Sequence, residues 1–207
     1  MKQADTVILV FLKPFEAGYV KTRLAATVGD AVALDVYRHL VEHTLQQLRK
    51  LQPYADVVLC YSRQAANGQY ISEFPCLIQK GEDLGDRMLY ALEWAHARKY
   101  DKKLIIGSDC FELTAEILEQ AILWLETEQV VVGPAMDGGY YLIGMKESHA
   151  ELFAGIPWST SGVITATVEV LERLKLDWAA LPPLSDLDEE QDLLSYPSLC
   201  RAVGLEQ

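Results

Sequence analysis

Three cations, Lys13, Lys21 and Arg23, follow closely on an apolar run at residues 7–12 in a chain whose formal net charge is −12. The run is rich in β-branched and large apolar side chains and reads as a buried strand, and Pro14 and Gly18 break it into a loop. Collecting positive charge in one loop of an acidic chain points to an anionic ligand. Arginine grips phosphate oxygens bidentately, lysine supplies a mobile point charge, and a helix starting soon afterwards aims backbone N–H groups the same way. Lys13, Gly18, Lys21 and Arg23 are therefore the expected nucleotide-phosphate loop.

A diphosphate held there keeps negative charge that a divalent cation neutralises, and Mg²⁺ or Mn²⁺ prefers carboxylate, water and phosphate oxygens. Asp109, directly after an apolar run, is the first expected ligand. Asp186 and Asp188 offer an i,i+2 pair that an extended chain would point to one side. The same pair also suits a turn before a helix start, where acidic residues are favourable. Asp137-Gly138-Gly139-Tyr140 sets a carboxylate beside two residues with almost no side chain, so a sugar hydroxyl could approach the backbone. An ordinary tight turn between strands explains the same residues. Trp158, Ser159 and Thr160 offer an aromatic surface and hydroxyls for an acceptor, or equally a core tryptophan and a helix cap. Lys80 or Arg87 could form a further wall near phosphate or base, although a glycine-punctuated helix start explains most of that segment.

Two motifs mislead. His39-Leu40-Val41-Glu42-His43 matches the H-x-x-E-H order of some zinc peptidases, but Leu40 and Val41 fill the buried stripe of a plain crossover helix. Lys21-Thr22 resembles a P-loop ending, yet Val20 stands where that motif requires glycine.

The elements that must position these residues alternate. Helical spacing of Leu34, Tyr37, Leu40, Val41, Thr44, Leu45, Leu48 and Leu51 follows a start signal at Asp30. Short buried strands are expected at 57–60 and 76–78, with a polar loop around Asn67 and Gly68. A helix from about 84 to near 99 precedes a strand at 103–107, and Thr114 caps the next helix. Strands at 130–134 and 140–144 flank the turn at 137–139, close enough for a return within the sheet. A helical segment at 161–174, a short strand at 178–181 and an acidic stretch complete the order. Such alternation implies an α/β fold whose parallel crossovers cover the sheet on both faces, with ligand at the carboxyl ends of its strands. The cationic loop and Asp109 should meet along that edge.

Half of the 207 residues are hydrophobic, enough for one substantial core, so a single domain over 1–207 is expected. The acidic balance disfavours nucleic acid, which needs a broad basic surface. No apolar run approaches the roughly 20 residues of a membrane helix. Cys60, Cys76, Cys110 and Cys200 lack metal-ligand spacing, and the N-terminus lacks the order of a signal peptide, so a reducing cytoplasm is expected. Oligomeric state is not legible.

The chain resembles, nearly end to end, the bacterial glycosyltransferase-like proteins linked to arsenosugar biosynthesis or to radical-SAM selenodomain neighbours. The resemblance rests on Lys13-Pro14 with residues 18–24, on 84–88, on Gly107-Ser108-Asp109-Cys110, on 133–144, on Trp158-Ser159-Thr160 and on Asp186-Leu187-Asp188. Phe111 departs from it, since the family usually has proline there. The resemblance implies a GT-A fold, a Rossmann-like three-layer sandwich with a mostly parallel, mixed central sheet, and puts Asp109 in the metal position. It also implies a nucleotide-diphospho-sugar transferase using a divalent cation, Mg²⁺ or Mn²⁺. Two reactions compete. In one, an acceptor hydroxyl displaces diphosphate from a nucleotide sugar, with Asp137 or Asp188 placing sugar or acceptor. In the other, an acceptor phosphate attacks a nucleoside triphosphate (NTP) and pyrophosphate leaves. The Lys-Thr-Arg-Leu loop resembles that of phospholactate guanylyltransferases, and Gly107 breaks the usual D-x-D of metal-dependent glycosyltransferases. Whole-chain resemblance ranks glycosyl transfer to a small-molecule acceptor first. A nucleotide-binding regulator without turnover is the third reading, opposed by the presence of every candidate polar residue.

Overall fold

The computed structural model describes residues 3–64, 70 and 72–205. Its strands are β1 (Thr6–Leu12), β2 (Ala55–Tyr61), β3 (Cys76–Ile78), β4 (Lys102–Ile106), β5 (Val130–Pro134), β6 (Tyr140–Met145) and β7 (Trp178–Ala180). They form one sheet in the order β3-β2-β1-β4-β6-β5-β7. β6 runs antiparallel to both of its neighbours, β4 and β5, while every other pairing is parallel. The direction of winding reverses between β1 and β4, the place where an open α/β sheet leaves a crevice at its carboxyl edge.

The helices are α1 (Thr22–Val28), α2 (Asp30–Leu51), α3 (Leu84–His96), α4 (Ala115–Thr127), α5 (Val163–Leu174), α6 (Glu190–Leu194) and α7 (Pro197–Ala202). β1 explains the layers. It is apolar on both faces, as a central parallel strand must be. Ile8, Val10 and Leu12 pack with Tyr37, Val41 and Leu45 of α2 and Leu118 of α4. Val7 and Leu9 pack on the other face with Met88 and Leu92 of α3 and Leu171 of α5. This is the three-layer mixed α/β arrangement expected of the GT-A fold.

A third apolar cluster matters most for the site. Leu24 of α1 and Val36 and Leu40 of α2 bury against Leu187, Leu193 and Leu199, which clamps the C-terminal stretch onto the first helices. That stretch is ordered by local chemistry as well. Leu184 pairs with Ala135 as an isolated parallel bridge, and Glu189 and Asp192 form a reciprocal capping box at α6.

Boundaries differ from expectation for local reasons. α3 ends at His96, and Lys99 adopts a left-handed φ of 62° soon after it. α5 begins at Val163 because the Thr160 hydroxyl ties the preceding turn, donating to the Pro157 carbonyl at 2.7 Å. The short α1, directly after Lys21, precedes the longer helix expected from Asp30. The loop expected around Asn67 and Gly68 lies outside the described residues. Among those described, no helix is long and apolar enough to cross a membrane.

Candidate active site

The crevice at the β1/β4 carboxyl edge has a volume of about 560 Å³ and is walled by Lys13, Lys21, Arg23, Arg87, Asp109, Asp137, Tyr140, Ser159 and Asp188, among others. Lys13 closes β1. Its N–H donates to the Tyr37 hydroxyl at 2.8 Å, and that hydroxyl donates to the Lys13 carbonyl at 3.2 Å, so α2 holds the strand end. Burial, with the Asp109 charge added, pushes the Tyr37 phenol far above its ordinary range, so it stays neutral. The loop then turns through Gly18, at φ 77°, and is tied at its rim by the Arg63–Glu16 ion pair.

Lys21 is the hub. It starts α1 in a left-handed conformation, φ 47° and ψ 47°, which costs a residue with a Cβ on the order of 1–2 kcal/mol. Its ammonium explains why that conformation persists. Nζ lies 2.6 Å from Asp109 Oδ1 and 3.1 Å from Asp188 Oδ1, and donates to the Leu187 carbonyl at 2.6 Å. Leu187 N–H in turn donates to the Asp109 carbonyl at 2.9 Å, locking the C-terminal stretch to the loop after β4. The Lys21 side chain is 3 % exposed, whereas those of Asp109 and Asp188 are 46 % and 42 % exposed. Burial opposes the ammonium's charge, but the Asp109 and Asp188 carboxylates outweigh it and hold the pKa above the ordinary lysine value. Arg23, 70 % exposed, reaches Asp188 at 3.7 Å and keeps its remaining donors toward solvent.

Asp186 completes a ring of acids. Burial, then the carboxylates of Asp109 and Asp137, push it up to about 7, with Lys21 pulling the other way and Asp188 adding to the rise. Negative charge thus exceeds what Lys21 offsets. Such a donor set suits a hard dication shared with phosphate and water. Among the described residues, however, no three His, Cys, Asp or Glu side chains are grouped to hold a metal ion by themselves. Asp109 and Asp188 converge on one point, and that point holds the Lys21 ammonium; Asp186 does not line the crevice. Of the two aspartates expected as alternatives for the second metal ligand beside Asp109, Asp188 is the one that shares a cation with it.

Other expected residues divide. Asp137 lines the crevice, and its Oδ1 accepts the Gly139 N–H at 2.8 Å, so it serves the turn with one oxygen and leaves the other. Gly138, at φ 91°, makes no room for a ligand: a Cβ there would meet the Ser161 carbonyl oxygen at 2.2 Å, so its bareness lets the chain pack on itself. Gly139 likewise faces Asp137. Trp158 turns away from the crevice, its Nε1 buried over Gly85 and its ring edge-on to Tyr140 at 6.3 Å. Thr160 is spent on the turn before α5, while Ser159, at φ 63°, reaches the wall. Arg87 lines the crevice and donates to the Gly81 carbonyl at 3.3 Å, whereas Lys80 lies 5.3 Å over the Tyr90 ring.

Sequence reasoning missed Tyr37, Ser108 and Ser62 as wall residues. Tyr37 was visible only as part of an apolar stripe. Ser62, whose buried hydroxyl has no partner, carries no local signal beyond following β2. The dismissal of the H-x-x-E-H motif fits the structure. His39 turns to the Asp35 carbonyl and His43 to the Leu113 carbonyl, so they share no centre. Phe111, the departure from the resembled family, stacks between His43 and Tyr196 at 4.6 and 5.1 Å, supporting the C-terminal clamp.

The fold and sequence have known counterparts, although no curated protein matches the chain. A crystal structure from Desulfovibrio desulfuricans G20, provisionally named a nucleotide-diphospho-sugar transferase, is 35 % identical, with a TM-score of 0.88 over 96 % of this chain and 89 % of that one. The inositol-1-phosphate CTP transferase of T. maritima has a TM-score of 0.58 at 11 % identity, each chain covered completely. Glucosyl-3-phosphoglycerate synthase of Mycobacterium tuberculosis, solved with Mn²⁺, UDP and phosphoglyceric acid, has a TM-score of 0.55 at 14 % identity over 98 % of this chain and 80 % of that one. These two share the fold alone. Residues 44–160 match a family model outright, and the chain belongs to that family, described as "Uncharacterized protein conserved in bacteria (DUF2064)".

Proposed function

We propose that this chain is a one-domain cytoplasmic transferase using a nucleotide-activated donor, and that glycosyl transfer from a nucleotide sugar to a small acceptor is its reaction. The observation that carries it is Lys21 meeting Asp109 and Asp188 at the β1/β4 carboxyl edge, with Arg23 beside them. Cations and carboxylates brought to one point suit a ligand that carries both phosphate and a hard dication. The 35 % identical relative's name and the nucleotide-handling enzymes of the same fold support the same class.

In this reading Lys21 and Arg23 bind the donor's diphosphate, and Lys13 and Arg87 flank it. A divalent cation, Mg²⁺ or Mn²⁺, held by Asp109 and Asp188 with phosphate oxygens, would supply charge neutralisation for the leaving diphosphate. The acceptor hydroxyl attacks the anomeric carbon, the bond to the diphosphate oxygen breaks with its electron pair, and the hydroxyl proton passes to the free oxygen of Asp137. Tyr140 and Ser159 form the acceptor wall.

Gly107, where a D-x-D glycosyltransferase would carry its first aspartate, favours a second reading: an acceptor phosphate attacks the α-phosphorus of an NTP and pyrophosphate leaves. Incubation with panels of nucleotide sugars or NTPs plus Mg²⁺ and candidate acceptors separates them. Nucleoside diphosphate release is the expected result, pyrophosphate release replaces it with the second reading, and nucleotide binding without turnover removes both.

A further inference from the structure

We propose that Lys21 is the resident counter-ion of the Asp109–Asp188 pair, so that the free protein excludes a divalent cation from that point and admits one only when a phosphate group draws the ammonium away. This rests on the nucleotide-donor reading above and adds an order of binding to it.

The geometry is specific. One ammonium contacts both carboxylates, at 2.6 and 3.1 Å. A dication bridging the same two oxygens would need the same space, because oxygen ligands sit at about 2.0–2.6 Å from Mg²⁺ or Ca²⁺. Two cations there would repel strongly, since the site is shielded from water on the lysine side. The occupancy is not a surface accident. The Lys21 side chain is 3 % exposed, and its third donor is taken by the Leu187 carbonyl at 2.6 Å. Asp109 and Asp188 come from opposite ends of the site, the loop after β4 and the C-terminal clamp, so Lys21 also draws the two together.

Release has a path. Lys21 and Arg23 both line the crevice, and an ammonium on a four-carbon stem can move from carboxylate to phosphate without losing ionic partners. Phosphate arriving with its own dication thus exchanges partners: ammonium to phosphate, carboxylates to metal. The carboxylate pair exchanges one positive charge for two, the phosphate gains the ammonium, and no covalent bond is made or broken. The ligand class that fits is a metal-chelated di- or triphosphate, not a free metal ion followed by a nucleotide.

The test is Mn²⁺ binding to metal-stripped, nucleotide-free protein, read by the electron paramagnetic resonance of free Mn²⁺. K21M and K21Q are expected to bind Mn²⁺ about tenfold more tightly than wild type or better, because each removes the competing charge; glutamine also keeps a donor for the Leu187 carbonyl. Equal or weaker binding by the folded variants would overturn the proposal. Stoichiometric Mn²⁺ uptake by nucleotide-free wild type would overturn it alone, whether or not the variants fold. Calorimetric titration of wild type with nucleotide and Mg²⁺ together reads the donor hypothesis separately.

Discussion

Replacing Gly138 by alanine distinguishes a glycine that makes room for ligand from one that makes room for the chain. An added Cβ would lie 2.2 Å from the Ser161 carbonyl oxygen, 2.6 Å from its Cα and 2.7 Å from its carbonyl carbon. Contacts under 3.0 Å are essentially never seen, so Ser161 must retreat by at least 0.8 Å, the difference between 3.0 and 2.2 Å. Backbone cannot swing aside as a lysine tip can. The retreat also strains the bond from the Ile164 N–H to the Gly138 carbonyl, 2.9 Å, which anchors the start of α5. Positive φ adds about 1–2 kcal/mol for alanine, and overpacking typically about 1–3 kcal/mol. A central loss of about 3 kcal/mol corresponds to a Tm lowered by about 6 to 12 °C in a chain of this size. G155A is the control: Gly155 has φ 73° with nothing within 4 Å of its built Cβ, so it carries the φ cost alone. Thermal and urea melts of both variants should place G138A clearly below G155A. Equal stability, with a selective loss of nucleotide or acceptor affinity in G138A, would refute the reasoning and restore the ligand-approach reading.

Further expectations follow from the hub. Asp109→Asn should cut metal-dependent turnover by about 10²-fold or more, the scale of losing one preorganised electrostatic contact, while circular dichroism stays native; full activity would remove Asp109 from the chemistry. Arg23→Ala should leave urea stability within about 0.5 kcal/mol, since its side chain is 70 % exposed, yet weaken nucleotide binding by about 1.5–3 kcal/mol; calorimetry showing unchanged affinity would exclude it. Asp186 takes up a proton in the folded state near pH 7 but only near 3.8 when unfolded, so the folded form binds more protons between those values and the stability lent by that proton is lost as pH rises through this window. In EDTA, Asp186→Asn should therefore raise Tm over wild type more at pH 8 than at pH 5; a gain independent of pH would sink that assignment.

Much of this was readable in residue types. The alternation of apolar runs with 3.6-spaced stripes prescribes a covered α/β sheet, because a strand apolar on both faces, such as β1, must lie between layers. Thr114 as a cap and Asp109 after β4 were visible because strand ends and helix starts have local chemistry. Where local readings were ambiguous, packing decided. Gly138 and Thr160 went to the chain's own turns, and Trp158 went to the core, since each found a protein partner nearer than the crevice. Asp186 and Asp188 looked equivalent as an i,i+2 pair, yet Asp188 meets Lys21, while Asp186 is more deeply buried and feels the charges of Asp109 and Asp137.

By itself the sequence determined which charged groups this protein possesses and the sheet edge to which they belong, because strands alternating with helices imply parallel crossovers of one hand, which leave the loops after the strands at the carboxyl edge. Only tertiary structure decided that Lys21 stands between Asp109 and Asp188. That contact joins residues 88 and 167 positions apart through the burial of Leu187 against α1 and α2, and no local spacing encodes which of several acids will be carried to a lysine when an apolar clamp closes.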